Sequence, residues 1–359
     1  MVIVSAVVTF ALIVVALVLP VPYVRLSPGP TFNVIGDHDG APVITINGAT
    51  TYPTSGELDM TTVYERGGPR TGLTFLEAIA AWVNPTDAVV PRELLYPDDV
   101  TGEEVKQRQA MLFNTSESNA IAAAMSYLDL PVSEHIVVSV VYGDSPADGK
   151  LEAGDRIVSV NGTAMDSPAQ VAEAIRSKPA GSSFDVVVER SASGDGDAPT
   201  TEQVTVTLTS AKNPEDETKP YIGIGVGTQY DSGFDITFSL EDIGGPSAGL
   251  VFATALVDKL TPDGLVGDRH VAATGTIEPD GTVGRIGGIR QKLAGAAEAG
   301  ATYFLMPRDH CSEAAGHIPD GLTVAPVSTL ADAISALQAW NRGESVPGCP
   351  ADVTAAGVS

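Results

Sequence analysis

Residues 2–19 read VIVSAVVTFALIVVALVL, eighteen positions without one charged side chain. No other stretch restricts the fold so tightly, because a run like this has only two stable homes. One is a bilayer, which takes ~17–25 predominantly apolar residues to cross. The other is a buried helix, but Ile, Val and Leu on every side would then need a core surrounding it completely. Pro20 and Pro22 end the run. A cleaved leader would start with basic residues, keep its apolar part to ~7–15 positions and close on a small-x-small site. None of these features is evident, so an uncleaved single-pass anchor is expected over residues 1–20, entering the cell membrane through residues 2–19. Arg25 follows the run and no Lys or Arg precedes it, which taken alone favours a C-terminal part inside the cytoplasm.

The remainder suggests a chain of two or three domains: 359 residues in all, with 43% hydrophobic side chains, enough for real cores. Its 45 acids against 20 bases leave a net charge of −25. A partner nucleic acid would need basic patches to neutralise its phosphates, so that class is excluded. The stretch GDSPADGK, residues 143–150, imitates a phosphate loop but has Leu151 where a magnesium-binding Ser or Thr belongs. No ATP and no other cofactor is expected. The two cysteines, Cys311 and Cys349, lack metal-ligand spacing and no metal site is read. They either form one disulfide in an oxidising compartment or remain one buried and one exposed thiol.

Residues 21–130 carry short β-like runs, Val43 to Ile46 and Leu58 to Tyr64, expected to pack on later domains. An irregular acidic stretch over 67–114 is followed by an alanine-rich helix, ESNAIAAAMSYLDL, capped by Thr115 or Ser116. The clearest module is 131–210: strand, Gly-rich turn, strand, an Asn161-Gly162 turn, a helix from Pro168 to Lys178 capped by Ser167, and strand. A flexible hairpin tip is read at 191–202, and a tail at 341–359. The order Ser145-Pro146-Ala147, Leu151, Gly154-Asp155-Arg156-Ile157 and Val160-Asn161-Gly162 resembles a PDZ domain. That resemblance implies capture of an extended peptide as an added strand beside the helix. It points to Ser133, Glu134, His135 and Ile136 on the strand and to Val171 and Ile175 on the helix. The usual Gly-Leu-Gly-Phe-like carboxylate loop is missing; Pro131 to His135 occupies its place.

The stretch GGPSAGLVF, residues 244–252, admits two readings. Ser247 either caps a buried helix, or is a nucleophile at that helix's N-terminus, where free N–H groups of Gly245, Ala248 and their neighbours around Pro246 receive an oxyanion. A nucleophile needs a base, and none of the five histidines lies in a recognisable triad. Lys292, in an alanine-rich helix opened by Gly287-Gly288, would ordinarily face water. Near a helix N-terminus and partly buried, its pKa would fall far enough for a neutral amine to deprotonate a serine.

Taken together, GPSAG, then Thr274-Gly275, then GGIRQK with Lys292 45 residues after Ser247, resemble the proteolytic domain of Lon proteases over about 218–340. The resemblance implies a Ser-Lys dyad: Ser247 as nucleophile, Lys292 as general base and Thr274 as a supporting hydroxyl. Gly244 stands where that family commonly has Asp, and Thr276 where it has Glu. Anchor, PDZ and Lon-like parts in this order look like the membrane-anchored PDZ-containing Lon-like proteases of bacteria, the YlbL type. The expected fold is therefore α+β and multidomain: an N-terminal transmembrane helix, a PDZ-like β-sandwich or barrel with helices, and a Lon-type α/β proteolytic domain over 211–340. The resemblance further implies an ATP-independent serine endopeptidase acting on unfolded or flexible protein segments, with its catalytic part outside the cytoplasm. A homo-oligomer also follows from it, because Lon-like domains often form rings. The competing class is a membrane-tethered peptide-binding scaffold whose Lon-like domain does not cut.

Overall fold

The computed structural model describes residues 2–69, 71–96, 101–192, 200–213, 216–240 and 243–350. In chain order the helices are α1 (Val2–Val18), α2 (Phe75–Val83), α3 (Gly102–Tyr127), α4 (Pro168–Arg176), α5 (Gly249–Leu260), α6 (Ile289–Glu298), α7 (Cys311–Ala314) and α8 (Leu330–Asn341). The chain folds as two compact units, Met1–Asp129 with Phe234–Ser359, and Leu130–Gly233. The second is thus an insertion in the first, and it extends past the expected boundary at 210.

The first unit is built on a six-stranded sheet. Four strands run parallel, Thr323–Val327, Tyr303–Pro307, His270–Ala273 and Glu57–Arg66. Tyr23–Asn33 and then Ala88–Pro91 continue it antiparallel. The segment 21–130, expected to pack against a later domain, instead supplies half of this sheet through backbone hydrogen bonds. The parallel strands read as apolar runs, FLM and VAA, and are buried residue after residue, as strands packed on both faces are. Leu58, Met60, Val271, Phe304 and Leu305 are buried there. Helix α5, apolar on all sides from Gly249 to Val257, is buried throughout that span.

Helix α3 begins far upstream of the expected cap at Thr115 or Ser116. Thr101 and Glu104 form a capping box, each side chain bonded to the other's backbone N–H, and the helix runs 26 residues. Thr115 instead turns its hydroxyl back onto Met111 O (2.9 Å). Helix α1 is 17 residues long, about 26 Å at ~1.5 Å per residue. Ile3, Val4, Val7, Phe10, Val15 and Val18 on it are exposed. Among the described residues no helix is long and apolar enough to cross a membrane. Arg25, read from sequence as a flanking charge, is ion-paired at 2.8 Å with Asp87, whose side chain is buried. Cys311 and Cys349 are joined by a disulfide. Cys311 is buried among Phe304, Leu322 and Val324, so the bond fastens residue 349 to the core.

The second unit is a sheet in the order Thr200–Thr209, Ser183–Ala192, Arg156–Val160, Ser133–Val141, Ile224–Asp231, with α4 beside it. Ser167 caps α4, accepting from Gln170 N, and Val171 and Ile175 are buried in the core under the sheet. Asp155 is buried and takes a bidentate bond from Arg190 (Nε 2.7 Å, Nη2 2.6 Å), locking the turn before Arg156–Val160 to the strand Ser183–Ala192. The middle of the expected tip at 191–202, residues 193–199, lies outside the described residues; the strands flanking it pair antiparallel.

Candidate active site

Ser247 does not cap α5. That position is held by Ala248, with no side-chain cap bond. The tight approach to the helix is made by Gly245, at φ +91°, a conformation that side-chain-bearing residues rarely adopt. Two layers hold the loop. Gly275 N–H (3.0 Å) and the Thr274 hydroxyl (3.3 Å) both donate to Ser247 O. From α3, the Ser116 hydroxyl donates to Pro246 O at 3.0 Å, and Gly245 N–H donates to Gln109 O at 3.0 Å. The Gly244 departure has its reason here: a Cβ at that residue would lie 2.7 Å from Gln109 Cβ, so α3 occupies the space an Asp would need.

Lys292 is the fourth residue of α6, and its amine is buried beneath this loop. Its Nζ stands 2.7 Å from Ser247 Oγ, 3.0 Å from Thr274 Oγ1 and 3.0 Å from Thr61 O. Only 3% of Lys292 is exposed. Burial strips water from the ammonium and pulls its pKa down to about 7. Thr61 O can only accept, and the Thr274 hydroxyl donates to Ser247 O, so both take amine hydrogens. At Ser247 Oγ an ammonium would place its third hydrogen, and a neutral amine its lone pair. The site opens into a cavity of about 410 Å³ lined by Met60, Val63, Phe113 and Ile286 together with Ser247 and Lys292.

Ser247, Lys292 and Thr274 are therefore brought together in one cluster, with Pro246 and Ala248 flanking the serine. Of the turn residues named from sequence, Gly245 has its N–H committed to Gln109 O and is not free for an oxyanion. Sequence reading missed Thr61, Gln109 and Ser116. Thr61 and Gln109 act through backbone carbonyls, which any residue carries, so no side-chain signature could reveal them.

In the second unit the strand residues named from sequence need correction. Ser133, Glu134, His135 and Ile136 lie in an inner strand, paired with Asp231, Tyr230, Gln229 and Thr228. The edge strand beside Ser133–Val141 is Ile224–Asp231, Thr200–Thr209 forming the opposite edge, and it is entered through Ile222-Gly223, with Gly223 at φ +81°. The hydrogen-bonding row that an added strand requires is on this edge, and the earlier strand is already saturated by it. Val171 and Ile175 face the core, at 2% and 7% exposure. Among the described residues, Glu57, Asp59 and His270 place one ligand atom each within 4.8 Å of one another, an arrangement in which His270 Nε2 already pairs with Asp59 at 2.8 Å.

Residues 137–190 match the family model of the PDZ domain, and residues 242–339 that of the Lon protease C-terminal proteolytic domain. The Lon protease of Azospirillum brasilense is 40% identical over 94 residues, 25% of this chain and 11% of the relative. Lon protease 1 of Bacillus subtilis is 47% identical over 66 residues, 18% of this chain and 8% of the relative. The Mycolicibacterium smegmatis Lon protease is 39% identical over 95 residues, 26% and 12% of the two chains. The chain thus spans about a tenth of the length of these curated relatives. A solved PDZ domain of the SdrC-like protein of Listeria monocytogenes is 30% identical, covering 26% of this chain and 86% of that one, with a TM-score of 0.20. The chain contains a PDZ domain and a Lon-type proteolytic domain.

Proposed function

We propose that the chain is a membrane-anchored serine endopeptidase that works without ATP, with Ser247 as nucleophile and Lys292 as its base. One observation carries the reading: a fully buried lysine amine 2.7 Å from the hydroxyl of a serine at the open end of a helix. Ser247 Oγ adds to the substrate carbonyl as its proton passes to Lys292 Nζ. The oxyanion is received by the N–H groups of Ser247 and Ala248 at the start of α5. The ammonium then returns its proton to the leaving amine as the peptide bond breaks. Water, activated by the same amine, releases the acyl group. Thr274 and Thr61 O hold the amine so that its lone pair meets the serine. The cavity suits an extended segment, so unfolded or flexible stretches of protein are the substrates.

The PDZ unit takes such stretches by β-augmentation along Ile224–Asp231, next to α4. Residues 143–150 support no nucleotide role, since they form turns that no helix follows. Helix α1, uncharged and with its described side chains turned outward, supports the anchor. The Cys311–Cys349 disulfide supports a bacterial catalytic part outside the cytoplasm, where such bonds persist.

A serine-reactive phosphonate or fluorophosphate probe tests the mechanism. It is expected to label Ser247, with a rate that rises about tenfold per pH unit below the Lys292 pKa and levels off above it, near 7. The sign follows from the base, which works only when neutral. A flat profile between pH 5 and 9 overturns Lys292 as base, and absence of labelling at any pH leaves a peptide-binding scaffold.

The PDZ role is tested by replacing Leu130–Gly233, the whole inserted unit, with a short Gly-Ser linker. Hydrolysis of a small ester is expected to persist while casein cleavage falls or changes its pattern. An equal loss on both substrates means that the unit supports the catalytic fold instead.

A further inference from the structure

Helix α2 presents an apolar face that nothing among the described residues of its own unit covers. Phe75, Leu76, Ile79, Trp82 and Val83 are 43%, 55%, 40%, 81% and 74% exposed. At about 100° per residue they fall within one arc of the helix, with Ala78 and Ala81 buried on the other side. The single charge of α2, Glu77, is turned away: its carboxylate takes the Thr74 N–H at 2.9 Å and pairs with Arg66 at 2.7 Å. The position of this face is tied to the end of α1. Pro20 and Val21 pair antiparallel with Thr74 and Leu73, and Phe75 N–H donates to Leu19 O at 3.0 Å. The exposed face of α2 therefore starts within one hydrogen bond of the last apolar residue of the anchor. Leu94, 72% exposed, joins the same region through the bond from Arg92 N–H to Pro22 O (2.9 Å).

We infer that the exposed face of α2 is a second membrane-contacting surface, lying in the headgroup region of the bilayer that α1 enters, with Trp82 as its interfacial anchor; this rests on the membrane-anchor reading above. A tryptophan is suited to that depth, since its ring is apolar and its indole N–H meets the polar layer.

Only Trp82 and Trp340 are available as tryptophan reporters, and Trp340 is buried at 3% exposure. The full chain is reconstituted into zwitterionic phosphatidylcholine vesicles, because a net charge of −25 would be repelled by anionic ones. The bilayer carries bromine at shallow acyl carbons. The expected result is a blue-shifted emission that bromolipid quenches in the wild type and does not quench in Trp82→Phe. A chain that floats with the vesicles but shows no quenching overturns the α2 surface alone. A chain that floats, is unquenched and has Trp82 protected from aqueous acrylamide overturns it in favour of a second copy on that face. A chain that does not float overturns the anchor and this surface together.

Discussion

Replacing Ser247 by alanine or Lys292 by methionine is expected to abolish cleavage of an unstructured protein such as casein, lowering the rate by roughly 10⁴-fold or more for either change. The double variant should be no worse than the single ones, because nucleophile and base act as one unit and neither retains a function without the other. The methionine variant separates catalysis from structure. A lysine whose pKa falls from 10.5 to about 7 on folding binds its proton more weakly in the native state than in the unfolded chain. Stability therefore rises with pH between these values, and at or below pH 7 the burial opposes folding by a few kcal/mol, on the order of 1.4 kcal/mol per pKa unit. Methionine fills the same space without that charge, so Lys292→Met is expected to melt no lower than the wild type near pH 6 while being inactive. Loss of activity accompanied by a large drop in melting temperature assigns Lys292 a structural role. Retention of activity in either folded single variant removes the dyad altogether.

Removing the disulfide should be a large loss of stability. The bond closes a loop spanning 38 residues, and loop-closure entropy puts its contribution at about 4 kcal/mol. For a unit of this size, that is a fall of about 8–15 °C in melting temperature. Cys349→Ser is the cleaner variant, because Cys311 is buried in the core and its own replacement adds a packing defect. Reductant should lower the wild type to the level of Cys349→Ser and leave the variant unmoved. If the melting temperature of the wild type is the same with and without reductant, the loop contributes nothing. Thiol labelling of denatured protein taken from intact cells checks the compartment, since two reactive thiols there would contradict a catalytic part outside the cytoplasm.

Much of the candidate site was legible because it is written in side chains at short range. Ser247 lies in a Pro-Ser-Ala-Gly turn that no ordinary helix start requires, and Lys292 follows a Gly-Gly helix opening. Helix α3 was legible and overlooked: Thr101-x-x-Glu104 is a capping box, but an acidic surrounding made the stretch read as irregular. The PDZ edge strand was harder. Ile224–Asp231 reads IGVGTQYD, with glycines where strand propensity is lowest, and it forms only by pairing with residues some ninety positions earlier. Its partner strand, richer in valine, therefore reads more strongly as a strand from sequence, although it lies inside the sheet.

By itself the sequence determined the residue types of the candidate site, the order of the modules and the apolar character of the first helix, since composition and short-range spacing suffice for each. Only the tertiary structure decided what surrounds the amine. Desolvation lowers the pKa of Lys292, and desolvation is a property of everything packed around the group. Thr61 O lies 231 residues away along the chain, and the sheet that carries it is assembled half from before the PDZ insertion and half from after it. Backbone carbonyls, burial and strand order are non-local, and no pattern within a window of sequence encodes them.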